Sequence, residues 1–173
     1  MLFANSRPVG RVLGFPTFVL HSDCDGEWSV AATEVELADA ERHLGHRLDA
    51  RYRAFLGCAN GWRAFYQSVD LFGTRDLIGG PRMQNAEFMF NSLSDAALAT
   101  SRVSRGELLS IGATSIDRDL FVIVRPTSTI AGTVIWYAGE EVDRFPTFDD
   151  FFLAMLEYNR QELQDFKNEK SQA

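Results

Sequence analysis

Cysteine is nearly missing: Cys24 and Cys58 are the only two in 173 residues, and their separation matches neither a metal-ligand pair nor a redox dithiol. A disulfide-stapled secreted scaffold is thereby excluded, and a reducing cytoplasm is the expected location. Long apolar runs are absent too; none approaches the ~20 residues that cross a bilayer. Arg7 and Arg11 ahead of VLGFPTFVL resemble the opening of a secretory signal, but Gly14 and Pro16 break that run and no small-residue cleavage site follows. The chain has no internal repeat, no low-complexity tract and no interior Pro/Gly/Ser linker, so a single domain is expected. Basic charge is also in short supply. Seventeen Lys and Arg face 24 Asp and Glu, leaving a formal net charge of -7; such a surface opposes nucleic-acid phosphates and attracts basic proteins.

What is present is an ordinary globular composition, 46% hydrophobic and 24% charged, with 14 phenylalanines that point to a core built around aromatic rings. Residues 1–32, with their Gly, Pro and DCDG cluster, read as an extended arm packed on the domain. Residues 33–166 hold the elements of the domain, and 167–173, KNEKSQA, read as a disordered tail. A first helix starts after Thr33, because TEVE supplies an N-cap and a Glu36 able to reach back to it. Leu37, Ala40 and Leu44 share one face of it, and Gly45 ends it in a left-handed conformation. Asp49 caps a second helix whose stripe is Tyr52, Phe55, Leu56 and Ala59, with Asn60-Gly61 as the stop.

WRAFY and VDLF then read as two short strands, and LLSIGAT, DLFVIVR and TVIWYAG as three neighbouring antiparallel ones. The stretch 83–100 fits helix or loop equally. Thr147 opens the closing helix, with Asp149 and Asp150 at its positive end and Phe148, Phe151, Phe152, Met155 and Leu163 on its apolar face. The expected fold is α+β: an antiparallel or mixed sheet packed against an N-terminal helix pair and a C-terminal helix.

Candidate residues for chemistry are few. His43 and His46 have helical spacing, but Gly45 interrupts it and no third metal ligand lies nearby, so no metal site is expected. Cys58, between Phe55 and Asn60, reads as a small core residue and not as a nucleophile. Asp23-Cys24-Asp25-Gly26 lacks the later ligands of a calcium loop and reads as a turn. Asp143, Asp149 and Asp150 invite an acid/base reading, which the helix N-terminus explains as well for the last two. No phosphate loop, nucleophile elbow or metalloprotease motif occurs, so no catalytic residue and no cofactor are assigned. Trp62, Trp136 and Tyr137 are either core residues or interface anchors. Glu140, Glu141 and Asp143 read as an acidic loop before the closing helix, suited to a cationic groove on another protein. Trp62, Glu140, Glu141 and Asp143 are therefore the expected partner-binding residues.

Two blocks carry a resemblance. TEVELADAERHLGHRLDARYRAFLGCANGW is similar to the opening helix pair of the SUKH superfamily, through Glu41, Leu44, Gly45, Leu48, Tyr52, Phe55, Leu56, Asn60 and Gly61. LLSIGATSIDRDLFVIV, TVIWYAGEE and FPTFDDFFLAML resemble its later strands and final helix, through Ile111, Gly112, Asp119, Phe148, Phe151 and Phe152. One position departs: the family usually has Leu-Pro where this chain has Leu48-Asp49, and either residue can begin a helix. The superfamily, which includes fungal cell-wall-synthesis regulators, binds proteins and is not known for chemistry. The resemblance therefore implies a cytoplasmic immunity protein that grips a cognate toxin domain, a basic nuclease being one candidate, with no direct nucleic-acid or membrane partner. A scaffold or regulatory module of the same fold that binds a housekeeping partner is the alternative, and an enzyme using Asp143, Asp149 or a histidine is a third.

Overall fold

The computed structural model describes residues 30–172. The expected arm therefore lies, but for residues 30–32, outside the described residues, as do Cys24 and the DCDG turn. Helix α1 (Glu34–Leu44) begins on the expected capping box: Thr33 Oγ1 accepts from Glu36 N at 3.3 Å, and Glu36 accepts from Thr33 N at 2.8 Å. It ends at Gly45 with φ of 72°, a left-handed cap that costs a residue with a Cβ much more than glycine. Helix α2 (Ala50–Leu56) starts at Asp49, whose Oδ1 accepts from the amides of Arg51 and Tyr52. Aspartate thus does as an N-cap what proline does at the first helical position, and the departure from the family pattern leaves the element intact. Arg53 of α2 pairs with Glu34 and Glu41 of α1, and Glu41 also accepts from Leu48 N at 3.1 Å, so the helix pair is tied at both ends.

Strands β1 (Trp62–Tyr66) and β2 (Val69–Leu71) follow, then α3 (Thr74–Leu77), α4 (Pro81–Ser92) and α5 (Asp95–Ser101). The undecided stretch 83–100 is therefore two helices broken at Leu93, with Ser94 capping the second by accepting from Ala97 N. A single 3-10 turn leads into β3 (Leu108–Thr114), β4 (Leu120–Val124), β5 (Val134–Tyr137) and β6 (Glu141–Phe145). The six strands form one antiparallel sheet in the order of the chain. A sixth strand stands where an acidic loop was expected: EVDRF pairs along β5, with Trp136 opposite Asp143 and Ile135 opposite Arg144. Three charges in five residues hide a strand whose carboxylates lie on a half-exposed edge.

Every residue of β3 and β4 is buried, the mark of central strands covered on both faces. Helix α6 (Phe148–Gln172) covers one face, with α2 beside it; α4 and α5 cover the other. The α6 side is a continuous aromatic layer. Phe151 meets Phe121 of β4 at 4.9 Å between centroids and Phe145 of β6 at 5.6 Å, and Phe148 meets Tyr52 of α2 at 5.1 Å. Tyr52, fully buried, donates its hydroxyl to Phe72 O at 2.7 Å and so pins α2 to the end of β2.

Several side chains depart from expectation. Cys58 is exposed, because α2 ends at Leu56 and the chain turns outward there. Leu163 is also exposed, since α6 has by then passed the end of the sheet. That helix continues to Gln172 through most of the expected tail. Among the described residues no helix is long and apolar enough to cross a membrane.

Candidate protein-recognition surface

In an up-and-down sheet, alternate turns emerge at the same end. Register places the β1–β2, β3–β4 and β5–β6 turns together: Tyr66 pairs with Val69, Val69 with Thr114, Ala113 with Leu120, Leu120 with Tyr137, and Tyr137 with Glu141. The turns carry Asp117, Asp119 and Glu140 against one cation, Arg118. Ile116 stands out of the middle turn, 81% exposed.

Just inside this hairpin end, on the α6 face, three rings meet. Trp136 of β5 lies 5.4 Å from Tyr66 of β1 and 6.3 Å from Tyr158 of α6, both near edge-on. Around them stand three carboxylates. Asp119 accepts from the Trp136 indole at 2.7 Å, Asp143 accepts from the Tyr158 hydroxyl at 3.0 Å, and Glu162 accepts from the side-chain amide of Gln67 and, at 3.5 Å, from the Tyr66 hydroxyl. All of these donors are neutral, so the carboxylates are held in place with their charge unneutralised by them. Burial first, and then the charges of Glu162 and Asp119, push the Tyr66 hydroxyl up to about 12. The Tyr158 hydroxyl is raised as well, chiefly by its bond to Asp143. Tyr66 is buried, whereas Trp136 is half-exposed and Tyr158 exposed; these two rings beside fixed anions make a surface suited to Arg and Lys side chains of another protein, by charge and by ring quadrupole.

The expected partner residues divide. Glu140 is exposed on the β5–β6 turn and Asp143 is half-buried in the ring cluster, so these two share the hairpin end. Glu141 is turned to the opposite face of β6, where its carboxylate takes the Arg144 guanidinium at 2.9 and 2.8 Å; that bond holds its pKa below the ordinary value. Arg144 in turn donates to Ser101 O at 2.7 Å, tying β6 to α5. Trp62 sits at the far end of β1, half-buried, 5.7 Å from Phe65 and 6.1 Å from Phe152. It is not brought to the other three.

Asp119, Tyr158 and Glu162 belong to the surface, with Tyr66 buried behind them, and none of the four is singled out for it in the sequence. Asp119 carried a signal, since it is one of the positions that resemble the family. Tyr137, an anchor candidate, is fully buried, whereas Trp136 is half-exposed. His43 is exposed, and His46 Nδ1 bonds to Arg47 O at 2.8 Å. Among the described residues no group of three or more His, Cys, Asp or Glu is placed to hold a metal ion.

A helix pair, a six-stranded antiparallel sheet with helices on both faces and a long closing helix define a single-domain α+β protein of the SUKH type. The chain belongs to the SMI1 / KNR4 family (SUKH-1), whose model matches residues 31–154, more than half of it. No curated protein compared with the chain matches it.

Proposed function

We propose that the chain is a cytoplasmic immunity protein that binds and neutralises a cognate bacterial toxin domain by occupying its surface, with no catalysis of its own. The observation that carries this reading is the hairpin end of the sheet. It holds fixed carboxylates beside half-exposed rings, on a chain of net charge -7. Such a surface favours fast, orientation-specific capture of a basic protein and disfavours nucleic acid. Membership of the family supports a binding role, and within it Asp143 and Glu140 are the proposed contacts. Glu141 and Trp62 then serve the fold, through Arg144 and the α6 rings.

Co-expression with the protein encoded by the adjacent gene tests this. Growth rescue and a stoichiometric complex that survives gel filtration are expected. A neighbour that is harmless when expressed alone, or toxicity unrelieved by this chain, overturns the reading.

A further inference from the structure

The closing helix is longer than the sheet it covers. Asn159 donates to Phe65 O at 2.9 Å, near the end of β1, and from Arg160 to Lys170 every side chain is exposed. Glu162 still bonds to Gln67 of the β1–β2 turn, so the residues from Leu163 to Lys170, at 1.5 Å each, leave about 12 Å of helix projecting past that turn. The apolar stripe does not stop with the body. Eighteen residues make five whole turns at 3.6 residues each, so Phe166 stands in phase with Phe148. One is fully buried beneath the helix and the other is 55% exposed. Leu163, 59% exposed, flanks it on the same side. Lys170 sets its ammonium 4.3 Å from the Phe166 ring. A notch results: its wall is the apolar side of the projecting helix, its floor the acidic turns, and its corner Glu162 beside Tyr158 and Asp143.

We propose that this notch holds a basic amphipathic segment of the partner protein, with apolar side chains on Leu163 and Phe166 and cations against Glu162, Asp143 and the turn carboxylates. The proposal rests on the reading above that the chain acts by gripping another polypeptide. Charge favours a cationic occupant. A second copy would bring one acidic floor against another, and residues 1–29, whose Arg7 and Arg11 are followed by Asp23, Asp25 and Glu27, sum to -1; both are outcomes of the test below. A cationic partner complements the floor, and an amphipathic one also covers the wall.

The test uses the full chain and a fluorescent synthetic peptide of repeating Lys-Leu-Leu-Lys units, followed by anisotropy. Saturable binding is expected, weakened about tenfold or more, equivalent to 1.4 kcal/mol, by Leu163→Ser with Phe166→Ser and separately by Asp143→Asn with Glu162→Gln. The first pair is exposed, and the second keeps its hydrogen-bond acceptors, so circular dichroism should match the parent. Equal binding by a Glu-Leu-Leu-Glu peptide, or affinities unchanged in both variants, overturns the proposal. So does a dimer that Phe166→Ser dissolves, or a change in the amide signals of residues 1–29 caused by that substitution alone. Growth rescue by the same variants separates the two readings. Rescue undiminished while the peptide fails to map to the notch rejects the notch alone. Mapped peptide binding in a chain that rescues no growth rejects the toxin reading and keeps the notch.

Discussion

Gly112 shows how narrowly single residues are constrained in this sheet. A Cβ at that position would lie 2.9 Å from Asp70 O and 3.3 Å from the Phe121 ring, between two strands whose backbones are fixed by pairing. Gly112→Ala is expected to destabilise the chain by about 1–3 kcal/mol, as overpacking does, and urea denaturation measures it. The Ile-Gly pair of the family pattern is thus a statement about space. Tyr66 yields a second prediction. Its hydroxyl titrates near 12 in the fold and at 10.0 when free, so the unfolded chain releases its proton first as pH rises. The stabilisation is complete below pH 10 and is lost between 10 and 12. Tyr66→Phe should therefore flatten the alkaline limb of the stability curve followed by thermal melts; an unchanged limb would reject this origin. Glu141 has the opposite sign. Its carboxylate, held below 4.5 by Arg144, stabilises the fold above that pH and loses the contribution as pH falls through the lowered value.

Along α6, one sequence pattern serves two environments. Phe148 and Phe166 share a side of the helix, yet only the first has a sheet beneath it. Phe148→Ala is expected to cost about 3–5 kcal/mol in chemical denaturation, the usual penalty for a buried ring. Phe166→Ala should stay within about 0.5 kcal/mol, as exposed substitutions do. Equal costs would mean that the projecting turns are covered in the free chain. Periodicity places Leu163 on the apolar face, and the structure leaves it exposed there, because periodicity reports which side a residue is on and not where its neighbour ends. Strand β6 was the reverse case. Its charges masked the alternation, and only the partner strand's register shows that Asp143 and Phe145 face α6 while Arg144 faces α5.

At the scale of the whole molecule, acidity is directional. Asp117, Asp119 and Glu140 emerge together because an antiparallel meander returns every second turn to the same end. Capture of a basic partner should slow about tenfold between low and physiological salt, because a Debye length near 10 Å at 0.1 M screens that field. Stopped-flow association rates test this, and a salt-independent rate would assign recognition to the apolar wall alone.

The helix caps, the aromatic stripe of α6, the central strands and the family were legible in the chain, since each depends on residues a few positions apart or on a linear pattern. Thr33 with Glu36, and Asp49 with the amides of Arg51 and Tyr52, need nothing beyond their own turn. The recognition surface was not legible. Tyr66, Asp119, Trp136 and Tyr158 are separated by long stretches of chain, and the curvature of the sheet alone brings the first strand within ring contact of the fifth. Exposure likewise belongs to the tertiary structure: whether a phenylalanine is core or contact is decided by what the rest of the fold has placed opposite it.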